Sequence, residues 1–272
     1  MKYMKEKLIE LLNNAEAIVI GAGAGLSSAA GFEYGGETFL KNFQYMHDLY
    51  GYEDMYSAGF HSFTSLEEKW AYWAKMIYLN RYVDHGKELY KRLFQLVKDK
   101  NYFVITTNVD HQFQKAGFDK QRLFYMQGDY GLFQCSKACH NKTYDNEEII
   151  KEMMAHIENH KIPSYLIPRC PVCGAPMTTN LRCDDLFVQD AGWYKAKRRY
   201  ETFIQENKNK RIVFLELGVG YSTPVWIKYP FMRMTLANPN ATYICIDKGY
   251  IYIPDEIKNQ TIAIQADIQD II

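Results

Sequence analysis

Apolar residues along this chain gather in short unbroken runs separated by longer stretches of mixed polarity. Residues 17–20 (AIVI), 102–107 (YFVITT), 212–217 (IVFLEL), 242–246 (TYICI) and 261–265 (TIAIQ) are such runs, and each leads into glycine, asparagine or aspartate. Short, β-branched runs bounded by turn residues predict strands buried on both faces. Between them the apolar spacing changes to that of helices. Leu8, Ile9, Leu11 and Leu12 mark a short amphipathic helix over 3–13, and Leu89, Leu93, Leu96 and Val97 mark the inner side of another over 87–98. Ser65-Leu66-Glu67-Glu68 has the form of a capping box and opens a helix to about Arg81. Residues 33–63 show no steady period, which predicts a lid or binding loop with room for short helices. Strands alternating with helices predict a parallel α/β sheet.

The ends of the strands carry the candidate chemistry. The first run passes into Gly21–Gly25, the second into Asn108-Val109-Asp110, and the later ones into Gly218-Val219-Gly220, Asp247-Lys248-Gly249 and Ala266-Asp267. Ligands of open parallel sheets bind beyond the carboxyl ends of the strands, so five such endings predict one shared crevice. Residues 17–32, AIVIGAGAGLSSAAGF, join an apolar run to small residues and then to a helix start. Backbone N–H groups there can approach a pyrophosphate, although a tight turn without a ligand has the same composition. A dehydrogenase is a poor fit. Gly21, Gly23 and Gly25 lack the G-x-G-x-x-G spacing, and the next clear strand begins only at Tyr102.

Composition narrows the classes further. The chain has 272 residues, 47% of them apolar, enough for one large domain or a main domain with an accessory one. Lysine plus arginine and aspartate plus glutamate both number 32, which gives no electrostatic case for nucleic acid or an anionic membrane. No apolar run reaches membrane-spanning length, and MKYMKEKLIELLNN lacks the core of a signal peptide, so a soluble cytoplasmic protein is expected. Thiols are reduced in that compartment, and paired cysteines there suggest a metal. Cys135 and Cys139 form C-x3-C, and Cys170 and Cys173 form C-x2-C within CPVCG. Two close pairs are the ligand set of a structural tetrahedral zinc site, with unrelated free cysteines as the alternative. Residues 147–160 between the pairs predict a helix, Cys183 is near enough to be an alternative ligand, and Cys245 reads as core. The expected layout is a Rossmann-like parallel-sheet domain over 1–124 and 186–272, with a loop and helical lid at 33–85, and a small inserted zinc module over 125–185.

Together these motifs resemble the sirtuin family of NAD-dependent enzymes. Residues 23–32, GAGLSSAAGF, are similar to its G-A-G-x-S-x-x-S-G-I signature. Thr107-Asn108-Val109-Asp110 is similar to its T-Q-N-x-D segment, with Thr107 in place of glutamine. Gly218-Val219-Gly220-Tyr221 resembles its G-T-S-x loop, Leu181-Arg182 begins a stretch like its substrate strand, and the cysteine pairs match its zinc module. The resemblance implies a Rossmann-like domain plus a zinc-bearing domain, with NAD bound between them. Gly23, Ala24, Gly25 and Ser27 would then hold the diphosphate. Thr107, Asn108 and Asp110 would hold the nicotinamide ribose and carboxamide, with Asn108 and Asp110 catalytic. Gly218, Gly220, Tyr221 and Ser222 would also bind the cofactor, Asp247 would accept from the adenosine ribose hydroxyls, and Asp267 and Ile268 would lie near the adenine. Tyr34 and Phe39 would close over the cofactor or belong to the core.

Three departures from the family pattern stand out. At the point where sirtuin deacylases carry histidine followed by glycine, the chain reads Tyr125-Met126-Gln127-Gly128. Imidazole can take a proton from a ribose hydroxyl near neutral pH, whereas the carboxamide of Gln127 can only hydrogen-bond. The family's P-D-F-R segment is replaced by Glu33-Tyr34-Gly35-Gly36, and Cys245 and Asp247 stand where asparagine and glutamate are usual. His111 matches a helix start and lies outside the catalytic slot. The substitution at 127, with DMYSAGF at 54–60 and EEKWAYW at 67–73, resembles the macrodomain-linked class of sirtuins. That resemblance implies protein ADP-ribosylation without efficient deacylation, with Gln127 orienting ribose hydroxyls or the nucleophile. It also implies a lipoyl-carrier target like the glycine-cleavage H protein and a macrodomain partner that removes the mark. A deacylase using another group, or a non-catalytic NAD or ADP-ribose sensor, are the alternative readings.

Overall fold

The continuous apolar runs become the middle of a parallel sheet. The structure, a computed structural model, describes residues 2–83, 86–221 and 223–272. In chain order, α1 (Lys2–Asn14) leads to β1 (Ala17–Ala22) and α2 (Ala24–Ala29). Then come α3 (Gly36–Tyr50), α4 (Met55–Ala58), α5 (Leu66–Ile77), a π-helical turn at Tyr78–Tyr82, and α6 (Glu88–Val97). β2 (Tyr102–Thr106), α7 (Gln112–Lys115), β3 (Leu123–Tyr125), β4 (Gly128–Cys135) and β5 (Tyr144–Asp145) follow. α8 (Glu147–Ala155), β6 (Met177–Leu181), α9 (Ala191–Asn207), β7 (Ile212–Leu217), α10 (Lys228–Ala237), β8 (Thr242–Asp247), β9 (Thr261–Gln265) and α11 (Ile268–Ile271) complete the chain.

The chain divides into two units. Unit 1 comprises Met1–Gly31, Gly86–Gly128 and Gln189–Ile272, and unit 2 comprises Phe32–His85 and Asp129–Val188. Unit 1 is built on a six-stranded sheet in the order β3-β2-β1-β7-β8-β9, with every pairing parallel. Alternate residues of its central strands serve two cores. Ile18, Ile20, Val104, Leu215 and Ile244 point into one. Val19, Phe103, Ile105, Phe214 and Tyr243 point into the other. Burial on both faces is why these strands read as continuous apolar runs rather than as alternation.

Unit 2 carries a three-stranded sheet ordered β5-β4-β6, with β4 and β5 antiparallel. Segment 33–85 belongs here, with 129–188, and not with the Rossmann-like part to which its position in the sequence pointed. Tertiary contacts explain the difference. The Trp70 and Phe133 rings pack edge-on at 4.8 Å, Arg81 Nε donates to Asp129 Oδ1 at 3.0 Å, and Tyr82 Oη donates to Asn146 Oδ1 at 2.5 Å. Much of the stretch read as aperiodic loop is helical. α3 buries Phe39, Phe43 and Met46 and ends at Gly51, whose φ of 73° forms a left-handed cap. Phe43 breaks the helix with φ −136° and ψ 33°, and exposed Leu40, Leu49 and Tyr50 blur the apolar stripe. Phe39 is fully buried against Phe43 and is core. Ser65 caps α5 by accepting from Glu68 N at 3.2 Å, while Glu68 Oε2 accepts from Thr64 Oγ1 at 2.5 Å. Among the described residues no helix is long and apolar enough to cross a membrane.

Candidate active site

The register of unit 1 brings the strand endings level. Ala22 pairs with Thr106 and with Leu217, Thr106 with Tyr125, Leu217 with Ile246, and Asp247 with Gln265. Gly23, Thr107–Asp110, Gln127, Gly218–Tyr221 and Asp267 therefore follow strands that stop along one edge, and Asp247 ends one of those strands. The sixth member, β3, has three residues and is preceded by a 3-10 turn at Lys120–Arg122. It delivers half-buried Gln127 into the turn before β4, where Trp193 Nε1 donates to the Met126 carbonyl at 3.0 Å.

Asn108 and Asp110 are held from below by backbone and from the side by hydroxyls. Thr107 N and Asn108 Nδ2 donate to the carbonyls of Ala22 and Gly23 at 3.0 and 2.9 Å, which ties the loop after β2 to the end of β1. Asn108 N donates to Thr106 Oγ1 at 3.0 Å. Asp110 is buried, and its Oδ2 accepts from Ser27 Oγ at 2.5 Å. Its Oδ1 accepts from Gln112 N at 3.1 Å, so the carboxylate also caps the start of α7. His111 occupies the residue before α7 with φ 64° and is a helix-start residue.

The glycines of the first loop have a packing role. A Cβ on Gly23 would lie 2.6 Å from the Gly218 carbonyl oxygen, and one on Gly25 would lie 2.7 Å from Gly218 Cα. Gly218 itself has φ 60°, and a Cβ there would meet the Gly25 backbone at 2.5 Å. The bond from Gly25 N to the Gly218 carbonyl, 2.9 Å, closes this crossing of two backbones. Gly220, by contrast, has open space where a Cβ would stand, and Ala24 is exposed. Packing therefore requires glycine at 23 and 25, whereas the chain at 24 and 220 is open to solvent.

The remaining expected residues divide as follows. Tyr221 is exposed and its Oη accepts from Tyr252 N at 3.0 Å. Ser222 lies outside the described residues. Asp247 Oδ1 accepts from Gly249 N at 2.7 Å. Asp267 caps α11 through Gln269 N and pairs with Lys248 at 2.9 Å. These two partners hold its carboxyl below the usual range. Ile268 is buried in the first core, so its side chain serves packing. Tyr34 belongs to unit 2, its hydroxyl 3.4 Å from that of Tyr130.

In unit 2 the Sγ atoms of Cys135, Cys139, Cys170 and Cys173 all lie within 4.8 Å of one another. Cys135 and Cys173 approach to 3.6 Å, as do Cys139 and Cys170. Tetrahedral zinc with bonds near 2.3 Å requires sulfur separations of about 3.8 Å, so the four thiols fit zinc. Cys183 is outside this cluster.

No family model matches the chain. It is 40% identical over 268 residues to a protein ADP-ribosyltransferase of Staphylococcus aureus, covering 98% of this chain and 85% of that protein. It is 32% identical over 237 residues to a probable bifunctional ADP-ribose hydrolase/ADP-ribosyltransferase of Fusarium oxysporum, covering 81% of this chain and 38% of that larger protein. Among solved structures, Sir2 bound to an acetylated peptide superposes with TM-score 0.59 at 19% identity, over 97% of this chain and 94% of the other. Sir2 with a peptide and NAD+ gives 0.56 at 19% identity, over 98% and 94%. The chain belongs to the sirtuin-like protein ADP-ribosyltransferases.

Three features of this sirtuin-like chain escaped the sequence reading. Tyr90 on α6 is fully buried and hydrogen-bonds both Ser27 and Asn108, at 3.0 and 3.2 Å. Glu216 in the middle of β7 is fully buried and paired with buried Lys228 at the start of α10, and it also accepts from Tyr243 Oη at 2.6 Å and from Cys245 Sγ at 3.2 Å. Lys228 Nζ lies 4.9 Å from the Tyr221 ring centre and so supports the loop after β7. The third feature is a cleft of about 450 Å³ at the amino end of β2, lined by Tyr102, Arg122, Arg198 and Arg199 among others. It lies at the end of the strand opposite to Asn108.

Proposed function

We propose that the carboxyl end of the unit 1 sheet binds NAD and that the chain transfers its ADP-ribosyl group to a protein, releasing nicotinamide. NAD brings a sugar carbon whose bond to nicotinamide is already labile. Asn108 offers a carboxamide to the adjoining ribose, and Asp110 offers a carboxylate to the nicotinamide carboxamide. The open backbone at Ala24 and Gly220 accommodates the diphosphate, with Ser27 and Thr107 close to the same strand end. Asp247 and Asp267 offer acceptors for ribose hydroxyls on the adenosine side. The four cysteines would hold a structural zinc, and a four-thiolate set of that kind leaves no position for substrate.

The observation that carries this reading is Gln127 at the strand end next to that of Asn108. A carboxamide orients hydroxyls but does not take their protons at neutral pH. Cleaving the bond to nicotinamide depends on positioning and charge stabilisation, which these residues supply without a base. Removing an acyl group through an activated ribose hydroxyl needs the missing base. We further propose that the acceptor is a lipoyl-carrier protein and that a macrodomain hydrolase reverses the mark. Segments 54–60 and 67–73 support this by their likeness to the macrodomain-linked class. The Fusarium relative, named for both hydrolase and transferase activities, supports the pairing.

The test supplies NAD labelled on the adenylate together with lipoylated and acylated carrier proteins. Label bound to protein, with matching nicotinamide release, is expected. Label in a free acyl-ADP-ribose would assign a deacylase, and binding without turnover would assign a sensor. Asn108→Ala is expected to lower nicotinamide release by about a hundredfold, the usual scale for losing one hydrogen-bonding group at a reacting centre. Gln127→Ala is expected to weaken transfer to protein. Full activity in both variants would remove these assignments.

A further inference from the structure

The hydrogen bonds around Asn108 have a forced direction. Asp110 accepts at both oxygens, from Gln112 N and from Ser27 Oγ. A carboxylate cannot donate, so the single proton of Ser27 is committed to it. Ser27 Oγ, 3.0 Å from Tyr90 Oη, is then left to accept. Tyr90 gives its one proton to Ser27 and presents lone pairs to Asn108 Nδ2 at 3.2 Å. The other hydrogen of that amide goes to the Gly23 carbonyl at 2.9 Å. Both amide hydrogens of Asn108 are thus engaged, and Oδ1 is its remaining hydrogen-bonding atom.

We propose that Tyr90 is a positioning residue: it relays the negative charge of Asp110 through Ser27 to fix the Asn108 carboxamide with Oδ1 as the acceptor offered to ribose. The role in turnover rests on the NAD reading above, while the orientation of the amide does not. Two properties suit Tyr90 to the task. Its ring is fully buried and packs edge-on against Phe113 with centroids 5.0 Å apart, so the hydroxyl has one place to be. Burial first, and the charge of Asp110 second, push the phenol well above its ordinary range, so it keeps its proton. Without the hydroxyl, one Asn108 hydrogen loses its partner and the amide gains freedom to turn. Ser27 loses its donor in the same step.

Tyr90→Phe keeps the ring and removes only the oxygen, and the full chain serves for every measurement. With NAD and acceptor, the variant is expected to lose about tenfold in kcat for nicotinamide release while KM for NAD stays within about twofold, the upper scale of one neutral hydrogen bond. Ser27→Ala breaks the same relay, so the double variant should be no slower than the slower single. The side-chain amide of Asn108, assigned in 15N NMR by its loss in Asn108→Ala, should exchange with solvent several-fold faster in Tyr90→Phe than in the wild type. Unchanged exchange, a kcat within twofold of wild type, or additive losses in the double variant would overturn the proposal. If the wild type releases no nicotinamide, the NAD reading fails, and the exchange measurement still decides whether Tyr90 orients Asn108.

Discussion

Lys228→Met tests whether the buried pair beneath the loop after β7 holds unit 1 together. Glu216 is 0% and Lys228 2% exposed, so neither charge has water to fall back on. Without the ammonium, Glu216 keeps two neutral donors, Tyr243 Oη and Cys245 Sγ. Removing one partner of a buried pair costs about 3–5 kcal/mol, and those two donors place the expected loss near the lower end, at about 3 kcal/mol. At roughly 2–4 °C per kcal/mol, the melting transition containing unit 1 should fall by about 6–12 °C. Glu216→Gln combined with Lys228→Met removes both charges and should recover to within about 1 kcal/mol of wild type. Burial alone would lower the Lys228 pKa, but the charge of Glu216 outweighs it and the net direction is upward. A group raised on folding contributes fully below its unfolded value and loses that contribution as pH rises through the folded one. The gap between wild type and Lys228→Met should therefore be level from about pH 7 to 9 and shrink only above about pH 10.4. Urea and thermal unfolding followed by circular dichroism read the wild type and both variants. A single variant within 1 kcal/mol of wild type, or a double variant less stable than Lys228→Met, would refute the reasoning.

Two further substitutions and one removal follow from the geometry. Gly218→Ala forces a left-handed residue and a Cβ 2.5 Å from the Gly25 backbone, and should cost at least about 2 kcal/mol in urea unfolding. Gly220→Ala has open space and should leave stability within about 0.5 kcal/mol, so equal losses at 218 and 220 would contradict the crossing. The purified chain should carry one zinc by elemental analysis, and a chelator or Cys170→Ser should release it and lower the unfolding temperature of unit 2. Metal-free protein that melts unchanged would leave the four thiols without that role.

The sequence alone determined what short-range pattern can encode. Strands β1, β2, β7, β8 and β9 were legible because burial on both faces leaves an unbroken apolar run, and their parallel order followed from the helices between them. Asn108 and Asp110 were visible because a strand that stops on polar residues is a local signal. The cysteine pairs were visible because metal-ligand spacing is local too. Gln127 was found through its place in a known pattern, although its own strand, three residues long, was too short to show.

Tertiary structure decided the rest, because those features depend on residues far apart in the chain. The second reason for glycine at 23 and 25 had no local signal, since their missing side chains make room for Gly218, about two hundred positions later. Segment 33–85 looked like a lid on the Rossmann-like part. Trp70, Arg81 and Tyr82 instead find partners in 129–146 of unit 2. Tyr90 carried no signal beyond one more apolar position on a helix, since its hydroxyl acquires meaning only where folding sets it between Ser27 and Asn108. Glu216 lay hidden inside an apolar run for the same reason. A buried charge is tolerable only with a partner, and that partner, Lys228, is supplied by the next helix.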